Sequence, residues 1–439
     1  MTQWQKVKIG EFLFEREGKY KPKEKALSGL SRIEKIDFSG NFHIGNKISN
    51  TNMILIKPGD LVISGINVAK GAMGIYSGQT DTTATIHYSS YTFDENKINV
   101  EYFKRFLKSS EFIELLKEQI KGGIKTEIKP KHILPLVIQL PSLLEQKNIV
   151  SHFKSIESED KELNDEITHQ QELLKKLRQA ILQEAIEGQL TKDWRNENPN
   201  VENASVLLKK IKAEKIKLIA EKKIKKQKPL PSIEKDEIPF EIPENWVWCR
   251  LGEIAEPITY GIVKLGIEPK YSGVFTLRTS DVKYRYISTI KTRKVTEHIS
   301  NKYKRTILKG GEILINVRGT LGGCAIVPNE IKGFNVSREV SVVPLINNQI
   351  NEHILNVISS PFSSNEIDKN LRGIAYKGLN LNLLSLFPVP LPPLSEQKEI
   401  VKKVEHLFAM CDELETQITQ SKANAEMLMQ AVLKEAFSN

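Results

Sequence analysis

"LPSLLEQKNIV" occupies residues 140–150, and "LPPLSEQKEIV" occupies residues 391–401. Reading on from both phrases needs no gap: residues 140–188 align with 391–439, with 18 identities in 49 positions. A gapless match of this length indicates duplication of a structural unit. Two copies are too few for a solenoid, so the expected architecture is a protein of two pseudo-symmetric halves.

Each copy reads as one long helix. In the first, Ile149, Phe153, Ile156, Leu163, Ile167, Leu174, Leu177 and Ile181 recur in steps of three and four or their multiples. The second places Ile400, Val404, Leu407, Leu414, Ile418, Leu428 and Val432 at equivalent positions. This is a heptad seam, the pattern of a coiled coil. Asp160 and Gln170 interrupt it in the first copy, answered by Cys411 and Ser421 in the second. A helix of about 40 residues is roughly 60 Å long. A single apolar stripe must be buried, and a narrow one suits the other copy better than a broad core face.

The phrase itself describes an entry into a helix. Pro141, and Pro390, Pro392 and Pro393, end an extended segment. Ser142 and Glu145 have capping-box spacing. Glu145-Gln146 and Glu396-Gln397 serve either as caps or as the joint between a globular domain and its helix; the sequence does not separate these roles.

Upstream the repeat continues more weakly. "WQKVKIGEF" from Trp4 resembles "WVWCRLGEI" from Trp246, "IKPGDLVIS" from Ile56 resembles "LKGGEILIN" from Leu308, and "KGAMGIYS" from Lys70 resembles "LGGCAIVP" from Leu321. Short β-branched runs bounded by Gly and Pro read as strands and turns. Helical stretches follow them, so each half is a mixed α/β domain leading into a long helix. Trp4, Trp246 and Trp248 are expected as packing anchors. Between the halves, residues 205–228 hold ten Lys and two Glu. Such a run is either a DNA-binding helix or the solvated face of a connecting helix, and the second is the favoured reading. A Pro-rich linker follows.

Composition supports a cytoplasmic, nucleic-acid-associated protein. The net charge is +10, which points to a polyanionic partner. The charge is unevenly spread: residues 1–139 carry +6 and 243–390 carry +7, whereas 140–190 carry −4 and 391–439 carry −3. Cys249, Cys324 and Cys411 are far apart, which suits a reducing compartment. No apolar run suits a signal peptide or a membrane span, so no membrane association is expected. No two glycines are separated by a single residue, and there is no P-loop, no His-Glu-x-x-His and no Asn/Asp-Pro-Pro-aromatic signature of adenine methyltransferases. Glu127-Ile128-Lys129 has the Glu-x-Lys form of a nuclease motif, but that form recurs at Glu145, Glu330 and Glu396. A chain without catalysis, cofactor or metal is expected.

Leu-Pro-x-Leu-x-Glu-Gln-Lys-x-Ile-Val leading into a long helix, twice, each time after a Trp/Leu-Gly-Glu domain, resembles the specificity subunit of type I restriction–modification systems. "GQLTKDWRNENP" from Gly188, the Lys-rich helix and "IPENWVWCRLGEI" from Ile242 resemble the family's central region. The resemblance covers the whole chain. It implies an α+β fold in which two mixed α/β target-recognition domains are joined by two long antiparallel helices forming a coiled coil. The boundaries become 1–139 for the first recognition domain, 140–190 for the first helix, 191–242 for the connector, 243–390 for the second domain and 391–439 for the second helix. The implied function is to read a split double-stranded DNA target while holding two methyltransferase (modification) subunits and the restriction subunits, which carry the catalysis and the cofactors. The rival reading is a coiled-coil adaptor whose domains bind protein.

DNA contacts are expected from basic and polar residues on loops of the domains, because Arg pairs bidentately with guanine and Asn or Gln with adenine. In the first domain the candidates are Lys70, Lys121, Lys125, Lys129 and Lys131, with Asn67 and His87 behind them. In the second they are Arg278, Lys283, Arg285, Arg318, Arg338, Arg372 and Lys377, with Tyr376 behind them. "TLRTSDVKYRY", "VRGTLGG" and "LRGIAYKGLN" have the Gly and polar content of exposed loops.

Overall fold

The computed structural model describes residues 4–437 apart from 23, 48, 69–70, 120–128, 320–321 and 372–378. The chain divides into two compact units, residues 1–169 with 418–439, and residues 170–417. Each unit therefore holds one globular head with parts of both long helices.

In the first unit, strand Gln5–Lys8 pairs antiparallel with Val137–Leu140, Gln5 opposite Leu140. The head is thus clipped shut at the residue where the repeated phrase begins. Its main sheet has the order Leu13–Glu15, Tyr88–Phe93, Leu61–Ser64, Met73–Ile75. A second sheet has the order Phe42–Gly45, Arg32–Ile36, Thr82–Thr85, Met53–Ile56. The core beneath is aromatic: Phe12, Phe103, Phe106 and Phe112 are buried together, joined by Val150 and Phe153 of the helix.

The second head repeats this plan. Val247–Arg250 pairs with Pro388–Leu391, Val247 opposite Leu391. The main sheet runs Thr259–Tyr260, Val340–Val343, Ile313–Asn316, Cys324–Ile326, the same order and sense of pairing as in the first head. The smaller sheet runs Arg293–Val295, Val274–Leu277, Asn335–Val336. The second sheet of each head contains one parallel pair, at Arg32/Thr83 and at Thr276/Asn335. The weak motif likeness of the sequence is therefore a likeness of topology. Its turn chemistry is shared too. Buried Asp60 accepts from the Lys57 N–H at 2.9 Å, and buried Glu312 accepts from the Lys309 and Gly310 N–H groups at 2.6 and 2.8 Å.

The Lys-rich segment is helical over Ala204–Ala220. Leu207, Leu208 and Ile211 bury into the core of the second head. Lys212 pairs with Glu253 at 2.6 Å, and Lys215 donates to the carbonyls of Gly252 and Ala255 at 2.5 and 2.7 Å. This part of the run is a packed connecting helix with a solvated Lys face.

The long helices, arm 1 (Leu143–Glu187) and arm 2 (Leu394–Phe437), have 45 and 44 residues. Their direction is readable inside each unit. In the second, Arg178 bonds to Asp412 at 2.5 Å and Glu415 at 3.0 Å, Lys403 donates to the Leu190 carbonyl at 2.8 Å, and Thr191 donates to Glu396 at 2.8 Å. Numbers rise on one side as they fall on the other, so the pairing is antiparallel. In the first unit, Val432 packs with the cluster containing Ile149, while Asp160 and Asn164 share a cavity with Ala423 and Gln430. That pairing is antiparallel as well.

The inward residues recur every seven: Phe153, Asp160, Ile167, Leu174 and Ile181 on arm 1, and Val404, Cys411, Ile418, Ala425 and Val432 on arm 2. Asn164 and Arg178 supply the alternating positions. Four expected seam residues lie elsewhere. Leu163, Leu177, Leu414 and Leu428 are exposed by 43, 45, 45 and 63%. The apolar pattern misleads here because Arg178 covers the seam with its half-buried stem. Its guanidinium stacks 5.4 Å from the Phe408 ring. Among the described residues no helix is long and apolar enough to cross a membrane.

Candidate nucleic-acid interface and its mounting

The head–arm joint is where the repeated phrase acts. Gln146 and Gln397 are buried, and the Nε2 of each donates to a proline carbonyl at 2.8 Å, Pro141 in one joint and Pro392 in the other. Gln146 also accepts from the Asn99 N–H at 2.6 Å, which ties the first helix of the head to the arm. The two glutamates have different roles. Glu145 closes a capping box, accepting from the N–H and hydroxyl of Ser142 at 2.9 and 2.8 Å. Pro393 stands where Ser142 does and offers neither group, and Glu396 turns inward. It is fully buried and accepts from Thr191 at 2.8 Å, from the Trp246 indole at 2.9 Å, and from Arg195. Cap and joint are therefore divided between the copies.

A second tie occurs at one repeated arm position. Glu157 and Phe408 are equivalent by the alignment. Arg105 of the first head bonds to Glu157 at 2.5 and 3.0 Å, and Arg285 of the second head stacks 5.2 Å from the Phe408 ring. Arg285 also donates to Ser359 at 2.7 Å, and burial lowers its pKa. It is held at the joint between the second head and arm 2. Charge type alone cannot distinguish an arginine that meets phosphate from one that grips a neighbouring helix.

Beside the second joint, His353 is buried edge-on to Trp246, with its Nε2 at 2.9 Å from the Pro390 carbonyl. Burial pushes its pKa down to about 4. Trp248 packs against Phe240 and Phe362.

Two expected contact segments of the second head converge. Val317 donates to the Glu339 carbonyl and accepts from the Leu379 N–H, both at 2.9 Å. Arg318 and Arg338 therefore stand on neighbouring segments, beside Leu379. Arg318 is half-buried, its guanidinium 5.7 Å from the Tyr260 ring, and the Tyr260 hydroxyl donates to the Leu379 carbonyl at 3.2 Å. Arg338 is exposed beside Glu339, at 3.1 Å. Arg278 is held back by Asp281 and by the Lys291 carbonyl, at 3.4 and 2.9 Å. Lys283 is exposed on the adjoining turn. Arg372, Tyr376 and Lys377 lie outside the described residues, as do Lys70, Lys121 and Lys125.

In the first head, Lys129 and Lys131 are exposed at the short helix Pro130–Ile133. Half-buried Asn67 and exposed His87 sit on adjoining turns, joined by Gly65 N–H to His87 carbonyl at 2.9 Å. Sequence reasoning missed the joint residues Arg105 and Arg195 and the seam residue Arg178. The one available signal was the Gln retained in both copies of the phrase.

Residues 243–421 match the family described as "Type I restriction modification DNA specificity domain". The chain is 26% identical to the type I restriction enzyme EcoBI specificity subunit of Escherichia coli over 347 residues, covering 78% of this chain and 66% of that protein. It is 30% identical to the EcoEI specificity subunit of the same species over 275 residues, covering 60% of this chain and 45% of that protein. The EcoDI specificity subunit, also of E. coli, is 26% identical across 99% of this chain and 88% of that one. The chain thus spans just under two thirds of the length of the first of these relatives and under half of the second. A chain from the structure reported as "Structural basis underlying complex assembly and conformational transition of the type I R-M system" shares the fold, with a TM-score of 0.57 at 14% identity over 100% of this chain and 98% of that one.

Proposed function

Since the chain belongs to the family of type I restriction–modification specificity subunits, we propose that it reads a split duplex DNA target, one half-site per head, and holds adenine methyltransferase and restriction subunits on its arms. It works in the cytoplasm and performs no catalysis itself. The observation that supports the DNA reading is that Arg318 and Arg338 lie on backbone segments bonded to each other, next to Leu379, in a head of net charge +7. Arginine on an ordered turn can pair bidentately with guanine, while neighbouring cations hold phosphate.

A separate observation supports the scaffold. Leu163 and Leu414 are repeat mates, and so are Leu177 and Leu428. All four are exposed, yet all are identical between the copies. Four of the five inward pairs have diverged, with Phe153, Asp160, Leu174 and Ile181 against Val404, Cys411, Ala425 and Val432, while Ile167 and Ile418 are identical. A partner bound twice requires the same surface twice, whereas a seam needs only complementary packing. Retained outward leucines therefore fit two copies of one partner, as two methyltransferase subunits would be.

The test is competition binding followed by methylation mapping. The full chain with its methyltransferase partners should prefer one duplex over scrambled duplexes of equal length. The same duplex should be methylated at adenines in both half-sites. Equal affinity for all duplexes would refute the reading, and binding to protein alone would favour the adaptor.

A further inference from the structure

Phe408 of arm 2 is the meeting point of three elements in the second unit. Its half-buried ring lies 5.4 Å from the guanidinium of Arg178 on arm 1 and 5.2 Å from that of Arg285 on the second head. A guanidinium at this range is attracted to the ring face. Arg178 is fixed in turn by Asp412 and Glu415, at 2.5 and 3.0 Å. Arg285 is fixed by the Ser359 hydroxyl at 2.7 Å, and the hydroxyl of neighbouring Tyr284 donates to the Ser359 carbonyl at 2.9 Å. Ser359 is the buried last residue of the helix Asn351–Ser359, so the turn is tied both to the body of the head and to the arm.

The backbone at Arg285 is the unusual feature. Its φ is +65°, and Lys222 is the other non-glycine residue with a positive φ among those described. This region is disfavoured for any residue with a Cβ. The turn is held there by backbone bonds: the Arg285 N–H donates to the Cys324 carbonyl at 2.7 Å, and the Cys324 N–H to the Lys283 carbonyl at 3.1 Å. The first head builds the corresponding turn without strain. Met73 matches Cys324 in the repeat alignment, and the turn lying against the Met73 carbonyl has glycine at its positive-φ residue, Gly40, at +86°. Glycine is thus sufficient at this place in the fold, and an arginine there needs a reason outside the turn. The stack on Phe408 supplies one. In the first copy the same arm position is Glu157, which pairs with Arg105 of its head. The position therefore serves the head–arm joint twice, by ion pair in one copy and by stack in the other.

We infer that the Arg178–Phe408–Arg285 stack is a lock: it fixes the angle of the second head on the arms and thereby limits the spacer over which both half-sites can be engaged. Arg285 and Phe408 are positioning residues that set spacing rather than read bases. The spacing rests on the proposed reading of a split DNA target; the lock itself does not. Changing a spacer by one base pair shifts a half-site by ~3.4 Å and rotates it by roughly 35° about the duplex. A head locked at its joint cannot follow that rotation, whereas a released head can.

Two measurements test it, with Arg285→Gly as the main variant, because glycine adopts this backbone freely and only the guanidinium is lost. The first needs no DNA. Spin labels on Glu330→Cys and Glu413→Cys, exposed positions of the second head and of arm 2, report the head–arm distance in the full chain. The parent should give one narrow distribution, and Arg285→Gly and Phe408→Ala broad ones, with circular dichroism unchanged. Phe408→Tyr keeps the ring and should behave as the parent, whereas Arg285→Lys loses the planar group and should not. The second measurement maps methylation by the full complex on duplexes whose spacer is one base pair longer or shorter. The parent should modify these about tenfold less than the preferred duplex, or lower still. Arg285→Gly should narrow that gap severalfold, with the same bases required in both half-sites. A narrow distance distribution in Arg285→Gly would overturn the lock. A broadened distribution with an unchanged spacer gap would overturn its link to spacing. Relaxed selectivity at a base pair of one half-site would make Arg285 a base reader and overturn its positioning role. A parent complex that methylates every duplex alike would refute the DNA reading instead, and the label distances would still decide the lock.

Discussion

Arg318 and His353 show how one side chain's surroundings decide its role. Arg318 sits on an ordered turn with its guanidinium steadied over Tyr260. If it reads guanine, Arg318→Ala should weaken target binding by about 1–3 kcal/mol and relax selectivity at one base pair. Gel retardation over a set of single-position variants measures both effects. A uniform loss across all duplexes with a smaller salt dependence would make it a phosphate contact. Arg285 belongs to the same residue type and was legible in the sequence only as a cation on a loop. Its partner Phe408 lies 123 positions further on, and no local pattern reports that stacking. His353 gives a second residue-level expectation. Its pKa of about 4 in the fold lies below the ordinary histidine value of 6.5. As pH falls between these values, the unfolded chain takes up a proton that the folded chain refuses. Stability is therefore full above about pH 6.5 and declines as pH falls toward 4, by roughly 2 kcal/mol between pH 6.5 and pH 5. Thermal melting at pH 7 and pH 5 should show a smaller drop for His353→Leu than for the parent chain. Equal drops would mean that the imidazole is not held neutral.

The arms are the elements whose existence the sequence reveals most directly, because an apolar period sustained over 40-odd residues has few other meanings. The register was not legible at the same level. Leu163 and Leu177 fit the heptad by composition, but Asn164 and Arg178 occupy the inward line, and no periodicity argument would place an arginine there. Glu145 and Glu396 make the same point at the helix entry: identical residues in identical phrases, separated in role by Ser142 against Pro393. The outward leucines carry the prediction at this scale. Leu163→Lys should remove one methyltransferase copy from the assembled complex, and Leu414→Lys the other, in both cases without unfolding the arms. Native mass spectrometry counts the copies. A complex that still holds two copies with both changes present would show that the leucines are not the docking surface.

The whole molecule is a duplication in which topology, clip strands and glutamine joints recur while the loop residues do not. The main-sheet order is the same in both heads, yet the tip that carries Arg318 in one carries Ile66 and Asn67 in the other. Such a design keeps the mounting fixed and leaves the reading surface free to change, which is why the mounting was legible from internal repetition and the contacts were not. A loop residue is recognised only by what it touches, and its proposed partner, DNA, is not in the sequence. Independence of the two heads is the central claim. The most direct test replaces residues 1–139 with the corresponding head of a relative and maps methylated adenines in cells that also supply the partner subunits. The account predicts that one half of the target changes and the other half stays as it was. A change in both halves, or in neither, would contradict it.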